Sequence, residues 1–174
     1  YWAADMNFSV RDQRDRVYAH LHDSAELKQR VAQECLGAIL DAAAVVVETF
    51  RAGGKLLLCG NGGSAADCQH MATELVSRLS KEFERPGLPA IALTTDSSLL
   101  TAYANDVDFD GVFARQIQAL GKAEDALIGI STSGNSRNVL RGVELANSLG
   151  IKTIALTGMG GKLAELSRVA IAVP

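Results

Sequence analysis

A few short stretches of the sequence group side chains densely enough to do chemistry. His70 and Glu74 stand four residues apart in a segment of helical pattern. That spacing puts an imidazole and a carboxylate on one helix face, a turn or two from the preceding loop. Such a pair can hold one metal ion, although two ligands do not complete a zinc site. The pattern is His-x-x-x-Glu rather than His-Glu-x-x-His, so proteolysis is not implied. The carboxylate offers a second chemistry, that of a general base moving a proton between adjacent carbons of a bound sugar. An ordinary surface pair has the same spacing.

Two further stretches are built for anions. Gly60-Asn-Gly-Gly-Ser64 follows an apolar run and opens a helix. Glycines let the backbone approach a ligand, and a helix N-terminus offers free N–H groups. Ser64 reads as the helix cap. Gly60-x-Gly62-x-x-Ala65 also fits the loose dinucleotide fingerprint, with Asp96 where a ribose-binding acid would sit. No lysine of the nucleoside-triphosphate type follows. The second stretch, Ser131-Thr-Ser-Gly-Asn-Ser136, places the hydroxyls of Ser131, Thr132, Ser133 and Ser136 around Gly134 at another helix start. Hydroxyl donors, backbone N–H groups and a helix dipole make a cradle for a phosphomonoester, which a dinucleotide site would not need. Asn105-Asp106 closes an apolar helix and by pattern alone is a helix end and a turn. His20 and His22 sit in a charged helix and read as solvated.

The elements that must position these groups follow from hydrophobic periodicity. Leu27, Val31, Cys35, Ala38, Ile39, Ala42 and Val46 recur at helical spacing, predicting two helices over residues 7–52 with a join near Ser24 or Glu34. Tyr1 to Asn7 reads as irregular. After Gly53-Gly54 a rhythm begins. Apolar runs at 55–59, 89–93, 126–130, 152–156 and 169–173 alternate with helices over 64–80, 97–104, 136–149 and a short one after Gly161. Continuous apolar strands alternating with helices mean an α/β fold whose parallel sheet is covered on both faces. Right-handed crossovers gather the strand-to-helix loops at one edge, where ligands bind at the reversal of strand order. The chain divides into an N-terminal helical segment, 1–52, and a sheet-containing unit, 53–174.

Composition limits the function classes. At 174 residues the chain is one domain able to fold without disulfides or metal. Its net charge of −3, without a basic block, argues against nucleic-acid binding. No apolar run approaches the ~20 residues of a membrane span. Cys35, Cys59 and Cys68 lack zinc-type or redox spacing, and an odd count suits a reducing compartment, hence a cytoplasmic protein.

Taken together, the motifs resemble a known family. Cys59-Gly-Asn-Gly-Gly-Ser-Ala-Ala-Asp-Cys-Gln-His-Met-Ala-Thr-Glu74 is similar to the signature segment of the phosphoheptose isomerase family of sugar isomerase (SIS) domain proteins. Arg85 to Leu93, Ala104-Asn-Asp106, Gly129 to Ser136 and Leu156-Thr-Gly with Gly160 to Glu165 match in order and spacing, so the resemblance covers about residues 25–174. It implies a five-stranded parallel, Rossmann-like sheet with preceding N-terminal helices that pack on the sheet and on partner subunits of a homotetramer. It implies conversion of sedoheptulose 7-phosphate to D-glycero-D-manno-heptose 7-phosphate. That reaction begins the synthesis of nucleotide-activated heptose for lipopolysaccharide or surface glycans. Asn61, Gly62 and Gly63, with Ser64, would touch the substrate. Ser131, Thr132, Ser133 and Ser136 would hold the phosphate region, and Asn105 and Asp106 would face the sugar. His70 and Glu74 would be zinc ligands, Glu74 also binding substrate and serving as catalytic base. A helix beyond Pro174 would supply a glutamine and a histidine to complete the metal site and the catalytic pair. The loop Thr157 to Gly161 reads one residue shorter than the family pattern.

Two rivals stand beside the isomerase. SIS domains also serve as non-catalytic regulators, including a relative that controls replication initiation. That relative lacks the carboxylate found here at Glu74, which favours the enzyme. A dinucleotide-binding protein is disfavoured by the hydroxyl-rich loop.

Overall fold

The computed structural model describes residues 10–82 and 84–174, so the opening segment Tyr1 to Asn7 lies outside the described residues. The chain runs α1 (Val10–Glu34), α2 (Leu36–Arg51), β1 (Leu56–Gly60), α3 (Gly63–Val76), β2 (Ala90–Ala92), α4 (Ser97–Asp106), a 3-10 turn (Phe109–Gly111), α5 (Val112–Leu120), β3 (Ala126–Ser131), α6 (Arg137–Ser148), β4 (Lys152–Gly158), α7 (Lys162–Leu166) and β5 (Val169–Val173). The strands form one sheet of order β2-β1-β3-β4-β5, every pairing parallel. The predicted α/β architecture holds. The helix join falls at Cys35, beside the expected Glu34, and α1 continues through the alternative break at Ser24.

Strand side chains alternate between two cores. Leu57, Cys59, Leu127 and Ala155 meet Val112, Phe113, Ile117, Val139, Val143 and Leu163 of α5, α6 and α7. Leu56, Leu58, Ile128, Ile130 and Ile154 meet Ala42 and Val45 of α2 and Cys68 and Ala72 of α3. Burial on both faces is why these strands read as unbroken apolar runs. Helix α5 was not anticipated by the sequence reading, which passed from Asn105-Asp106 and Phe109 to β3. Its four buried residues, Val112, Phe113, Gln116 and Ile117, have plain helical spacing. Buried Gln116 donates to the carbonyls of Leu93 (2.9 Å) and Val112 (3.1 Å), tying α5 to the end of β2.

The edge strand β5 is half-buried along its length, packed by α2 on one side and by Leu166 of α7 and its neighbours on the other. The apolar residues Val169 to Val173 are therefore partly covered by the chain itself. Cys35, at the join, donates its thiol hydrogen to the Ala172 carbonyl at 3.3 Å. All three cysteines are free and buried. Burial, with Cys68 nearby, raises the pKa of Cys59, and burial beside Asp67 pushes Cys68 up to about 12. Both are inert thiols at neutral pH.

The start of the sheet is held by Asp125, only 1% exposed. Its carboxylate accepts from the Lys55 N–H (2.9 Å), the Lys122 N–H (2.8 Å) and the Lys55 ammonium (2.6 Å). These bonds set β1 against β3 at their first residues. Gly54 passes so close to the Glu124 carbonyl that a Cβ there would collide with it. Asp125→Ala leaves two N–H donors and an ammonium without a partner, each buried donor costing about 1–3 kcal/mol. The expected loss is about 3 kcal/mol, read as a lower urea midpoint at unchanged m-value. A shift below about 1 kcal/mol would show that water replaces the carboxylate at no cost.

Candidate active site

Strand order reverses between β1 and β3, and the loops after those two strands carry both glycine- and hydroxyl-rich motifs. After β1 the chain turns through Gly62, whose φ of +55° starts α3 one residue earlier than expected. Gly62 is the cap position and Ser64 lies inside the helix, so its predicted role as cap is corrected. The left-handed φ available to glycine is the physical reason.

After β3, Ser131, Ser133 and Ser136 converge. Ser131 Oγ lies 2.9 Å from Ser136 Oγ and 3.5 Å from Ser133 Oγ. Thr132 does not join them. It lines a separate cavity, so the four hydroxyls of the motif face two ways. Ser136 is the cap residue of α6 but caps with no side-chain bond, its hydroxyl being turned to Ser131. The first turn of α6 thus keeps backbone N–H groups for a ligand, as an anion site needs.

The end of β4 and the start of α7 brace this cradle through backbone N–H donors. Leu163 N–H donates to Gly134 O (3.0 Å), Gly158 N–H to Thr132 O (3.2 Å), and Lys162 N–H to Asn135 Oδ1 (3.3 Å). A Cβ on Gly134 would stand 2.8 Å from Gly160 O and 2.9 Å from Thr157 Oγ1. Gly134 also has φ +65°. No other residue fits both conditions.

Two cavities follow one another along the α2/α3 face. The upper one, of about 420 Å³, is lined by Ser64, Asp67, Ile130, Thr132, Thr157 and neighbours. The Thr157 hydroxyl is buried there with no hydrogen-bond partner. The lower one, of about 520 Å³, lies between Val46 and Val47 of α2 and His70, Met71 and Glu74 of α3, over Leu56 and Ile128. Asp67 of the upper cavity and His70 of the lower lie one turn apart on α3, and Ile130 and Ile128 lie two residues apart on β3, so the two cavities neighbour each other along one trough-like face. His70 Nε2 and Glu74 Oε1 are 3.2 Å apart, the imidazole largely exposed and the carboxylate less so. Arg85 holds this end of α3 by donating to the carbonyls of Glu74 (2.8 Å) and Leu75 (2.7 Å).

His70 Nε2 and Glu74 Oε1 are close enough to share one metal ion, to which a catalytic zinc would need a third protein ligand. Among the described residues the one group of three ligating side chains within mutual reach is elsewhere, His22, Asp23 and Glu26 on α1, all exposed. It spans barely one helical turn, in keeping with the solvated reading of His22.

Asn105 and Asp106 end α4, exposed, with Asn105 Nδ2 donating to Asp106 Oδ1 at 2.8 Å. The structure does not bring them into the serine cluster. The segment after them is tied to α6 by Arg141 to Asp108 (2.9 Å) and Arg137 to Asp110 (3.4 Å), pairs the sequence reading missed because the partners are about thirty residues apart. Arg141 lowers the Asp108 pKa. Asp96 accepts from Leu99 N–H at 2.9 Å as the cap of α4, which commits it to structure rather than to a ribose.

Comparison with known proteins gives the relatives of this chain and its fold. Residues 19–158 match the model of the SIS domain family. The chain is 52% identical over 152 residues to the phosphoheptose isomerase of Pelodictyon phaeoclathratiforme, a match covering 87% of this chain and 72% of that protein. The solved phosphoheptose isomerase of Neisseria gonorrhoeae superposes with a TM-score of 0.86 at 44% identity, over 93% of this chain and 86% of that one. That of Francisella tularensis gives 0.88 at 40% identity over the same shares.

Gly134→Ala tests the cradle. The left-handed residue would cost about 1–2 kcal/mol, and the Cβ would push the β4 loop away. Affinity for inorganic phosphate, measured by calorimetry, should fall at least tenfold while the protein stays folded. Unchanged affinity would remove the loop as an anion site.

Proposed function

The chain belongs to the phosphoheptose isomerase family, whose SIS domain it carries, and we propose that it isomerises sedoheptulose 7-phosphate to D-glycero-D-manno-heptose 7-phosphate through an enediol. The observation that carries this reading is the trough, with Ser64 and Thr132 at one end and Glu74 beside His70 at the other, and with the serine cluster flanking Thr132 in the same loop. Ser64 to Glu74 is about 15 Å of helix rise, and Cβ atoms tilt toward the helix start, drawing the Glu74 carboxylate back toward the loop. An extended seven-carbon phosphate spans about 10 Å from C1 to phosphorus at ordinary bond lengths. The separation suits that length.

In this reading Ser131, Ser133 and Ser136 and the α6 N-terminus hold the phosphate, with Thr132 contacting the chain of the sugar. Asn61, Gly62, Gly63 and Ser64 bind along the β1 loop, and Asn105 and Asp106 close over the sugar. Glu74 takes a proton from C1 of the ketose and returns it to C2, while a proton passes from O1 to O2. Remote phosphate binding holds the reacting carbons in place. His70 and Glu74 would hold a zinc ion, which when bound would steady the charge developing on oxygen. The carboxylate at 74 supports an enzyme over a non-catalytic regulator.

The same reading makes the protein a cytoplasmic homotetramer feeding nucleotide-activated heptose synthesis. Helix α1 buries none of its 25 residues in its own chain and exposes Val17, Tyr18 and Leu21. A helix so placed gains its stability from packing on another subunit. The apolar wall of the lower cavity offers that subunit a surface. Among the described residues no helix is long and apolar enough to cross a membrane.

Two substitutions separate binding from proton transfer. Ser133→Ala with Ser136→Ala should raise KM strongly, since hydrogen bonds to a charged group contribute ~1.5–3 kcal/mol each. Unchanged affinity for sugar phosphate would refute the anchor. Glu74→Gln, nearly isosteric, should keep much of the substrate affinity and lose at least ~100-fold in turnover. Zinc content is measured alongside. Undiminished deuterium incorporation at C2 in this variant would assign the base to another residue.

A further inference from the structure

Asn138, the second residue of α6, is 3% exposed. It faces Asn61 across the reversal of strand order, 77 residues away in sequence, and the two amides bond reciprocally. Asn61 Nδ2 donates to Asn138 Oδ1 at 2.8 Å, and Asn138 Nδ2 donates to Asn61 Oδ1 at 2.8 Å. Asn138 Oδ1 also accepts from the Val139 N–H at 3.0 Å. That last bond fixes the orientation. A rotated Asn138 amide would set NH2 against a backbone N–H, donor against donor. With Asn138 fixed, Asn61 is fixed too, leaving one Nδ2 hydrogen and one Oδ1 lone pair uncommitted.

We propose that Asn138 is a positioning residue, which holds Asn61 in one amide orientation and locks the β1 loop to the helix that bears the phosphate cradle. The inference rests on the isomerase reading, in which Asn61 binds substrate. It adds a residue that touches no substrate. The physical reason is the low mobility of a reciprocally bonded amide pair with one partner buried, against the freely turning amide of an isolated loop asparagine. A sugar hydroxyl then meets a donor already oriented, and phosphate binding at α6 is transmitted to the loop that faces the sugar.

The test is a double-substitution cycle in the full chain. Asn138→Ala alone should reduce kcat at least tenfold while inorganic phosphate affinity changes less than threefold. In an Asn61→Ala background the same change should cost less than threefold. Asn138→Ser guards against misfolding. Its hydroxyl can still accept from the Val139 N–H but cannot reach Asn61, so it should keep the melting temperature and share the kcat loss. An equal kcat factor in both backgrounds would overturn the proposal. A second readout is independent of turnover. In 15N-labelled protein the Asn61 side-chain amide hydrogen bonded to Asn138 should exchange slowly, and Asn138→Ser should release it. Fast exchange in the unsubstituted protein would also overturn it. If the unsubstituted protein fails to turn over sedoheptulose 7-phosphate, the isomerase reading falls. The same cycle is then read on calorimetric affinity for that sugar phosphate, where lack of coupling refutes the lock.

Discussion

The ligand edge depends on how β1 and β3 are set side by side. Their register runs from Leu56 opposite Ala126 to Gly60 opposite Ile130. It is pinned at its start by the Asp125 carboxylate and at its end by the Asn61–Asn138 amide pair. Between those points the strands bury every side chain and have no polar means of choosing a register. A slip of one residue would turn Leu57 and Leu127 toward the wrong core. The polar bonds at the two ends choose the register, and the apolar burial between them makes it stable.

From that pairing the rest of the site follows. Loops that leave adjacent parallel strands at the reversal of order diverge to opposite faces, β1 into α3 and β3 into α6. The crevice between them is lined by loop backbone and by the first turns of two helices. The β4 loop fills the third side, where Gly134 and Gly160–Gly161 bring two backbones nearer than side chains allow. A phosphate group suits such a place. It takes hydrogen bonds from backbone and hydroxyl and needs no opposed cation, in a protein whose overall charge is negative.

The trough on the α2/α3 face belongs to a different scale of organisation. Helices α2 and α3 cover the sheet from two sides without closing over its centre, leaving Leu56 and Ile128 at the floor of a cavity that His70 and Glu74 overlook. A carboxylate beside an apolar wall and an imidazole suits the proton transfer we propose for Glu74. The same apolar wall is surface that a lone subunit would hold in water, and α1, unburied in its own chain, is its natural counterpart in the tetramer we propose.

The sequence determined much of this unaided. Apolar runs and their helical interludes located all five strands, because central strands buried throughout read as unbroken apolar runs and the half-covered edge strands keep the same residue types. The motifs at 60–64 and 131–136 stand out by residue type alone, as clusters of glycine and hydroxyl at helix starts. Fold and family were both legible from these local signals. Tertiary structure decided what depends on distance across the chain. It put Thr132 on one side of the loop and the three serines on the other, moved the cap from Ser64 to Gly62, and left Asn105-Asp106 outside the serine cluster. It paired Asn61 with Asn138, and Arg141 with Asp108, partners too far apart in sequence for any periodicity to relate them. Helix α5 was readable in its spacing but was passed over beside the stronger strand signal that follows. Side-chain type and local period are written in the chain. Which hydroxyl meets which, and which amide is held still, depends on the packing of two strands and two helix starts that the chain brings together only on folding.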